Sequence, residues 1–469
     1  MSHNDLVFLS VHEAAELFRT RKASSVDLTR ASLERIERWN PVLNAFITVT
    51  AEGALREAEA ADAEVARGEY RGALHGIPIA LKDLVDTAGV RTTAASAVYE
   101  NRVPEQDATV VRKLRNAGAV FLGKLNLHEF AYGGSGLISH FGPVRNPWDT
   151  NRITGGSSSG SAAAVAAGLC FAAIGTDTAG SIRLPSALCG ITGLKPTYGL
   201  VSAAGVVPLS FSYDHVGPMT RNALDAAIML DAIAGYDPED PTSAHIPFSP
   251  AASKLSQSPR APRLGTTTEL FETELDPEVE RIYQDAVERL ATIVGSHPKK
   301  VALPVESSTV VRMVEPYAYH EPLLEQNASR YQPSTLDRIR AGEGISASKY
   351  LEVRRALELM RRRSVAIFEN VDVVATPTVP CLPFRIDDLL DNPTELRPKE
   401  IRMLRNTRHF NTLGWPAITV PCGLAKGLPV GLQLAAAPGK DALLLQLAHA
   451  FEKETGWPEK IPIDPIQTK

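Results

Sequence analysis

The strongest constraint on the fold is a recurring succession: a short apolar run, a glycine-bearing loop, then small helix-forming residues. Ile77 to Leu81 leads into Lys82-Asp83, and Cys170 to Ile174 leads into Asp177-Thr178-Ala179-Gly180-Ser181-Ile182-Arg183. Between them, Gly155-Gly156-Ser157-Ser158-Ser159-Gly160-Ser161 opens into small helix formers from Ser161 to Ala167. Apolar runs of this length suit strands, and alanine-rich segments suit helices. Their alternation predicts an α/β fold whose sheet is covered by helices.

The remaining elements follow the same logic. Ser24 followed by Asp27 resembles a capping signal for a helix reaching Asn40, and Ala51 to Ala66 forms another helix closed by Gly68. Asp107 is placed to cap a helix that runs to Gly118, with a strand at Ala119 to Leu122. Asp276-Pro277 starts a helix whose apolar stripe is Val279, Ile282, Tyr283, Ala286, Val287, Leu290 and Ile293, with Gly295 past its end. Strands are predicted at 371–375, 417–420 and 430–434, and helices at 346–370 and 441–455. Residues 237–262, rich in Pro, Ser and Ala, are expected to wander over the surface. Because strands resume after residue 371, one unit over 1–469 is preferred. Within it, 1–70 is helical, 71–235 carries the loops, 236–400 is variable and 401–469 completes the sheet.

Composition excludes several classes. With 44% apolar and 22% charged residues, a large core is accessible and global disorder is not expected. A net charge of −5 with both signs mixed offers no footprint for nucleic acid, so none is expected as a partner. The run Arg361-Arg362-Arg363 reads as a solvated helix face. Cys170, Cys189, Cys381 and Cys422 form no CxxC pair and read as buried free thiols. No basic region precedes an apolar core at the N-terminus, and no window is long enough to span a bilayer. A cytoplasmic chain without a membrane partner is expected.

Each loop has a bland reading beside a chemical one. The first could be a linker, but no composition shift flanks it. It could bind phosphate, but it lacks the Gly-Lys-Ser/Thr step. The second could be an ordinary tight turn. Alternatively, its successive N–H groups from Thr178 to Ser181 could converge to stabilise an oxyanion. His128 and His215 sit in neither a nucleophile elbow nor an HExxH helix and read as structural. No zinc or calcium ligand spacing occurs. Lys82 ends an apolar strand, where burial would lower its pKa; reaching neutrality near pH 7–8 requires a shift of about 3 units, roughly 4 kcal/mol.

Together these segments resemble the amidase signature family of serine hydrolases. Gly76–Asp83, Gly123–Phe130, Asn146–Asp149, the two serine loops, Gly193-Leu194-Lys195-Pro196, Val216-Gly217-Pro218-Met219 and Leu428-Pro429-Val430-Gly431-Leu432-Gln433 look like family segments in family order. The match is poorest from about 238 to 400. The resemblance implies a large mixed β-sheet core flanked by helices on both faces. It implies a catalytic set of Ser181 as nucleophile, Ser157 as proton relay in a cis peptide with Gly156, and Lys82 as base. Thr178, Ala179, Gly180 and Ser181 would supply the oxyanion N–H groups, with no metal and no cofactor. The chain departs from the family pattern at Thr154, Ser159 and Ala179, which touches loop geometry and not reaction class.

By resemblance the function is cleavage of a carbon–nitrogen amide bond through an acyl-serine, releasing a carboxylic acid and ammonia or an amine. Family members take aliphatic, aryl and peptide amides, ureas and carbamates. One branch supplies the amide-cleaving component of the tRNA-dependent glutamine amidotransferase, and a silent ligand-binding protein is a further alternative. Gly134, Ser135, Tyr317 and Tyr319 are the expected substrate contacts, and Tyr317 with Trp415 points to a neutral or aromatic substrate. Residues 405–412 look closer to stand-alone amidases. The expected partner is therefore a small-molecule amide, and a homodimer is compatible with this reading.

Overall fold

Ile79 and Leu81 pack into one hydrophobic core while Ala80, between them, packs into another. The same split separates Phe121 from Val120 and Leu122, and Ala172 and Ile174 from Ala173. Side chains alternate across a strand, so an apolar run without polar interruptions must be covered on both faces. The computed structural model describes residues 6–255, 257, 261–267, 271–305, 308–457 and 460–462.

In chain order the strands are β1 (Phe46–Val49), β2 (Pro78–Lys82), β3 (Val120–Leu125), β4 (Arg145–Asn146), β5 (Asp149–Ile153), β6 (Ala172–Thr176), β7 (Thr192–Lys195), β8 (Val216–Thr220), β9 (Leu264–Thr267), β10 (Lys299–Val301), β11 (Val373–Pro377), β12 (Ala417–Ala425) and β13 (Leu428–Ala436). Eleven of them form one sheet in the order β1-β3-β2-β6-β8-β7-β12-β13-β11-β9-β10, and β4 pairs with β5 alone. β2 lies parallel to both β3 and β6, whereas β6–β8, β7–β8, β7–β12 and β12–β13 are antiparallel, so the sheet is mixed. Helices Ala223–Ile233, Pro277–Val294 and Asp441–Thr455 cover one face. Helices Ser25–Leu43, Ala51–Ala66 and Ser159–Ala166 contribute to the core on the other.

Local signals explain many of the boundaries. Ser24 Oγ accepts the Asp27 N–H at 3.0 Å while the Asp27 carboxylate accepts the Ser24 N–H, a reciprocal cap that starts Ser25–Leu43. Pro277 opens its helix and Gly295, at φ 65°, closes it. The helix predicted at 346–370 is an α-helix over Ala347–Ser364 continued by a 3₁₀ turn at Val365–Glu369.

Several expectations are corrected. The first 70 residues are not wholly helical: β1 adds an edge strand, antiparallel to β3. Asp107 does not cap Thr109–Asn116; its carboxylate accepts the Ala88 N–H and pairs with Arg115. Arg361 is no solvated residue, since its guanidinium lies 4.5 Å from the Tyr198 ring and Nε donates to the Thr412 carbonyl. Within 237–262, Ala251 and Leu255 are buried, and residues 256 and 258–260 lie outside the described residues. All four cysteines are free thiols. Among the described residues no helix is long and apolar enough to cross a membrane, and no cluster of His, Cys, Asp or Glu could hold a metal ion.

Candidate active site

Parallel neighbours end at the same edge of a sheet, and β2 and β6 bring Lys82 and Thr176 together there. Lys82 is fully buried. Its Nζ donates to Ser157 Oγ at 2.7 Å, Ser158 Oγ at 2.9 Å and Thr176 Oγ1 at 2.8 Å. No carboxylate touches the amine, so burial lowers its pKa to about 7, with Asp177 and Asp214 partly opposing the shift. Ser158 gives its own proton to the Thr176 carbonyl at 3.1 Å. Among the described residues Ser157 Oγ bonds only to Lys82, so the neutral amine can take a proton from it.

The peptide bond between Gly156 and Ser157 is cis. The His128 N–H donates to the Ser157 carbonyl at 3.1 Å, and the Ser158 N–H donates to the Ser181 carbonyl at 3.2 Å. The second bond ties the two serine loops to each other. Helix Ser159–Ala166 then packs so closely that a Cβ on Gly160 would lie 2.3 Å from the Ala45 carbonyl oxygen.

The loop after β6 wraps around the buried Asp177. Its carboxylate accepts the Gly180 N–H at 2.7 Å, the Ile182 N–H at 3.1 Å and two N–H groups of Arg183 at 3.0 Å. Burial alone would raise this carboxyl; the Arg183 guanidinium holds it well below the usual range. Arg183 is also fully buried and donates to the Thr407 carbonyl, Gln433 Oε1 and Asn411 Oδ1. One expectation is corrected here. The Gly180 N–H turns inward to Asp177 and is not available to an oxyanion, whereas those of Thr178, Ala179 and Ser181 have no acceptor among the described residues.

Ser181 opens into a cavity of about 460 Å³ that Thr178, Ala179, Gly133, Leu404 and Ile401 also line. A second, more apolar cavity of about 410 Å³ meets it at Ala131, Thr178 and Leu209, and reaches Thr176 and His215. The expected contacts are not on either wall. Gly134 backs onto Leu404, and Ser135 is buried, its Oγ donating to Glu400 at 2.8 Å. Tyr317 bonds to Glu321 on its own helix and Tyr319 to the Tyr99 hydroxyl. Trp415 is core, packed on Phe368. Arg312, Arg338, Arg397 and Arg408 line the cavity at Ser181 beside its apolar residues, a cluster the expectation of a neutral or aromatic substrate did not include. The histidines are buried: burial lowers His128 to about 3, and His215 Nε2 sits 3.0 Å from Lys195 Nζ.

Sequence reasoning missed Ser158, Thr176, Thr407, Asn411 and the four arginines. Only Ser158 and Thr176 carried a signal, as neighbours of Ser157 and as the end of β6.

The Amidase family model matches residues 27–445. The A-type component of the glutamyl-tRNA(Gln) amidotransferase of Moorella thermoacetica is 40% identical over 98% of this chain and 99% of its own. A chain solved, with an inhibitor bound, in a vestigial protein complex that bears on the origins of an s-triazine catabolic enzyme superposes with a TM-score of 0.88 at 33% identity. That match covers 96% of this chain and 99% of the other. The peptide amidase of Stenotrophomonas maltophilia gives a TM-score of 0.83 at 31% identity, over 97% and 98% of the two chains. The Moorella relative is by name one component of an enzyme acting on glutamyl-tRNA(Gln). This overturns the expectation of a small-molecule partner alone, with no nucleic acid and at most a homodimer. On the match of the model over residues 27–445, with the serine and lysine loops in place, the chain belongs to the amidase family of hydrolases.

Proposed function

We propose that this chain hydrolyses a carbon–nitrogen amide bond at Ser181 and works as the amide-cleaving component of an amidotransferase-type assembly. The observation that carries the chemistry is the buried Lys82 amine, 2.7 Å from Ser157 Oγ and with its pKa lowered to about 7. Ser181 Oγ bonds to the acyl carbon and its proton passes to Ser157, whose own proton goes to Lys82. The N–H groups of Thr178, Ala179 and Ser181 receive the oxyanion. The C–N bond then breaks as Ser157 protonates the leaving nitrogen and regains a proton from Lys82. Water attacks the acyl-Ser181 by the same relay, which gives the carboxylic acid and restores the serine.

The assembly is supported by the near-complete match, at 40% identity, to one component of an amidotransferase. A second reading, a linear-amide hydrolase acting alone, is favoured by the peptide amidase match at TM-score 0.83. The deciding experiment measures ammonia release from amides by the purified chain, with and without glutamyl-tRNA and the host's other amidotransferase components. Stimulation by them supports the assembly, and full unaided turnover supports the second reading. A chain that releases no ammonia in either case and takes no fluorophosphonate label on Ser181 fails the chemistry itself.

A further inference from the structure

The carboxylate of Asp214 stands between two walls of the site. One oxygen accepts the Thr178 hydroxyl at 2.6 Å, and the other accepts the Leu209 N–H at 2.9 Å and the Ser210 N–H at 3.0 Å. Thr178 and Leu209 line both cavities, and Asp214 itself lines the more apolar one. Just beyond it, the backbones of His215 and Asp177 exchange hydrogen bonds at 2.8 and 3.1 Å, so the chain here runs beside the loop that carries Ser181. The same wall is anchored from behind by the buried Glu315 of helix Val310–Asn327, which accepts the Ser210 hydroxyl at 2.5 Å and the Ser212 N–H at 3.0 Å.

Two observations separate this carboxylate from a packing group. Among the described residues, the bond to Asp214 is the one hydrogen bond that Thr178 makes. The charge is also unmatched: Asp177 is met by the Arg183 guanidinium, whereas Asp214 forms no ion pair among the described residues. Burial raises the Asp214 carboxyl to about 6 against its three donors, so it is ionised where the Lys82 amine is neutral. Asp177 and Asp214 both favour the charged form of that amine; His128, within reach of it, is neutral because burial lowers it to about 3. Glu315 and Tyr198 face Asp214 itself.

We infer that Asp214 is a positioning residue for the reaction at Ser181: through the Thr178 hydroxyl it fixes one end of the loop that offers N–H groups to an oxyanion, and it registers that loop against the wall at Leu209 and Ser210. Its charge gives the role a signature that packing alone would lack. This rests on amide hydrolysis at Ser181 and deepens it, and it holds whether or not the chain acts in an assembly.

The test labels the purified chain with a fluorophosphonate, which bonds to Ser181 Oγ with loss of fluoride, and follows the rate constant against pH. In the wild type the rate is expected to rise with a midpoint at about pH 7. In Asp214→Asn the plateau rate falls about tenfold, the scale of one hydrogen bond to a charged group, since an amide can accept on one side only. Its midpoint moves about half a pH unit lower, because a negative charge that favoured the charged lysine is gone. Thr178→Val slows labelling to the same degree and leaves the midpoint in place, and Thr178→Ser restores the rate. A wild-type plateau in Asp214→Asn or Thr178→Val, or an unmoved midpoint in Asp214→Asn, overturns the inference while leaving hydrolysis intact. If Asp214→Asn does not fold, the isosteric Thr178→Val decides. A wild-type chain that neither takes label on Ser181 nor releases ammonia from amides instead sinks the hydrolytic reading beneath it.

Discussion

Thr407 Oγ1 donates to the Ala179 carbonyl at 2.6 Å, reaching across 228 residues to the loop that carries Ser181. With that carbonyl held by Thr407 and the Gly180 N–H drawn to Asp177, the N–H groups of Thr178, Ala179 and Ser181, three residues that line the cavity, have no acceptor among the described residues. Gly180 sits at φ 133°, and a Cβ there would lie 2.0 Å from Thr407 Oγ1. Only glycine satisfies both the angle and the contact.

We predict that Thr407→Val lowers kcat about tenfold and stability by about 1 kcal/mol, the usual worth of one hydrogen bond. Gly180→Ala is predicted to lower kcat at least a hundredfold, because the loop must shift to admit the methyl group. Steady-state kinetics and urea unfolding read both. A Gly180→Ala enzyme with wild-type kcat would remove this loop from the chemistry.

We predict that Lys82 sets the acidic limb of the pH profile. Its folded pKa is lowered to about 7, so the amine is charged and unable to accept a proton below that value, and neutral above it. The expected kcat/KM rises through pH 7 and levels off by about pH 8.5. Lys82→Met is expected to lose at least a thousandfold in kcat at all pH values, within the range of general-base contributions of about 10²–10⁴ and the loss of the relay. A profile flat down to pH 5 contradicts the assignment.

Asp177→Asn leaves Arg183 buried with its full charge and one fewer anion. Removing one partner of a buried pair typically costs about 3–5 kcal/mol. The folded pKa of Asp177 is depressed, so its contribution is present above the unfolded value of 3.8 and is lost as pH falls below it. Denaturant unfolding at pH 7 is expected to show the loss, and the variant's deficit is expected to shrink below pH 4.

Glu452 works in the opposite direction. Burial raises its pKa to about 8 despite hydrogen bonds from the Ala223 N–H and Thr192 Oγ1. The folded state thus holds a proton that the unfolded state releases above about 4.5, and stability falls as pH rises from 4.5 to 8. The melting temperature is expected to drop over that window, by an amount corresponding to at most about 5 kcal/mol. Glu452→Gln should flatten the decline, and an unchanged slope would assign it to other groups.

What the sequence made legible was local. Lys82 ends an apolar run, and the two serine loops lie between strand-like and helix-like segments, so their positions could be read from spacing alone. The capping pair Ser24 and Asp27 and the Pro277-to-Gly295 helix were legible for the same reason. The groups that orient the site come from far along the chain: Asn411 donates to Asp177, and Gln433 accepts from Arg183. Nothing near those residues marks them. The cavity arginines were equally hidden, because Arg312, Arg338, Arg397 and Arg408 belong to four different helices. The one basic run that stood out, Arg361 to Arg363, lines neither cavity at Ser181. Tyr317 and Tyr319 misled because a helix carries one face away from a pocket as readily as toward it.

The side chains proposed to break the bond sit at residues 82, 157 and 181, whereas the guanidinium groups lining the cavity all lie between 312 and 408. The proposed cutting groups and the cavity's charged groups therefore come from separate stretches of polypeptide, joined through the Thr407 hydroxyl and the Arg183 side chain. A lineage built on this plan can exchange its diet by rewriting one stretch, and the blade passes unaltered from parent to descendant.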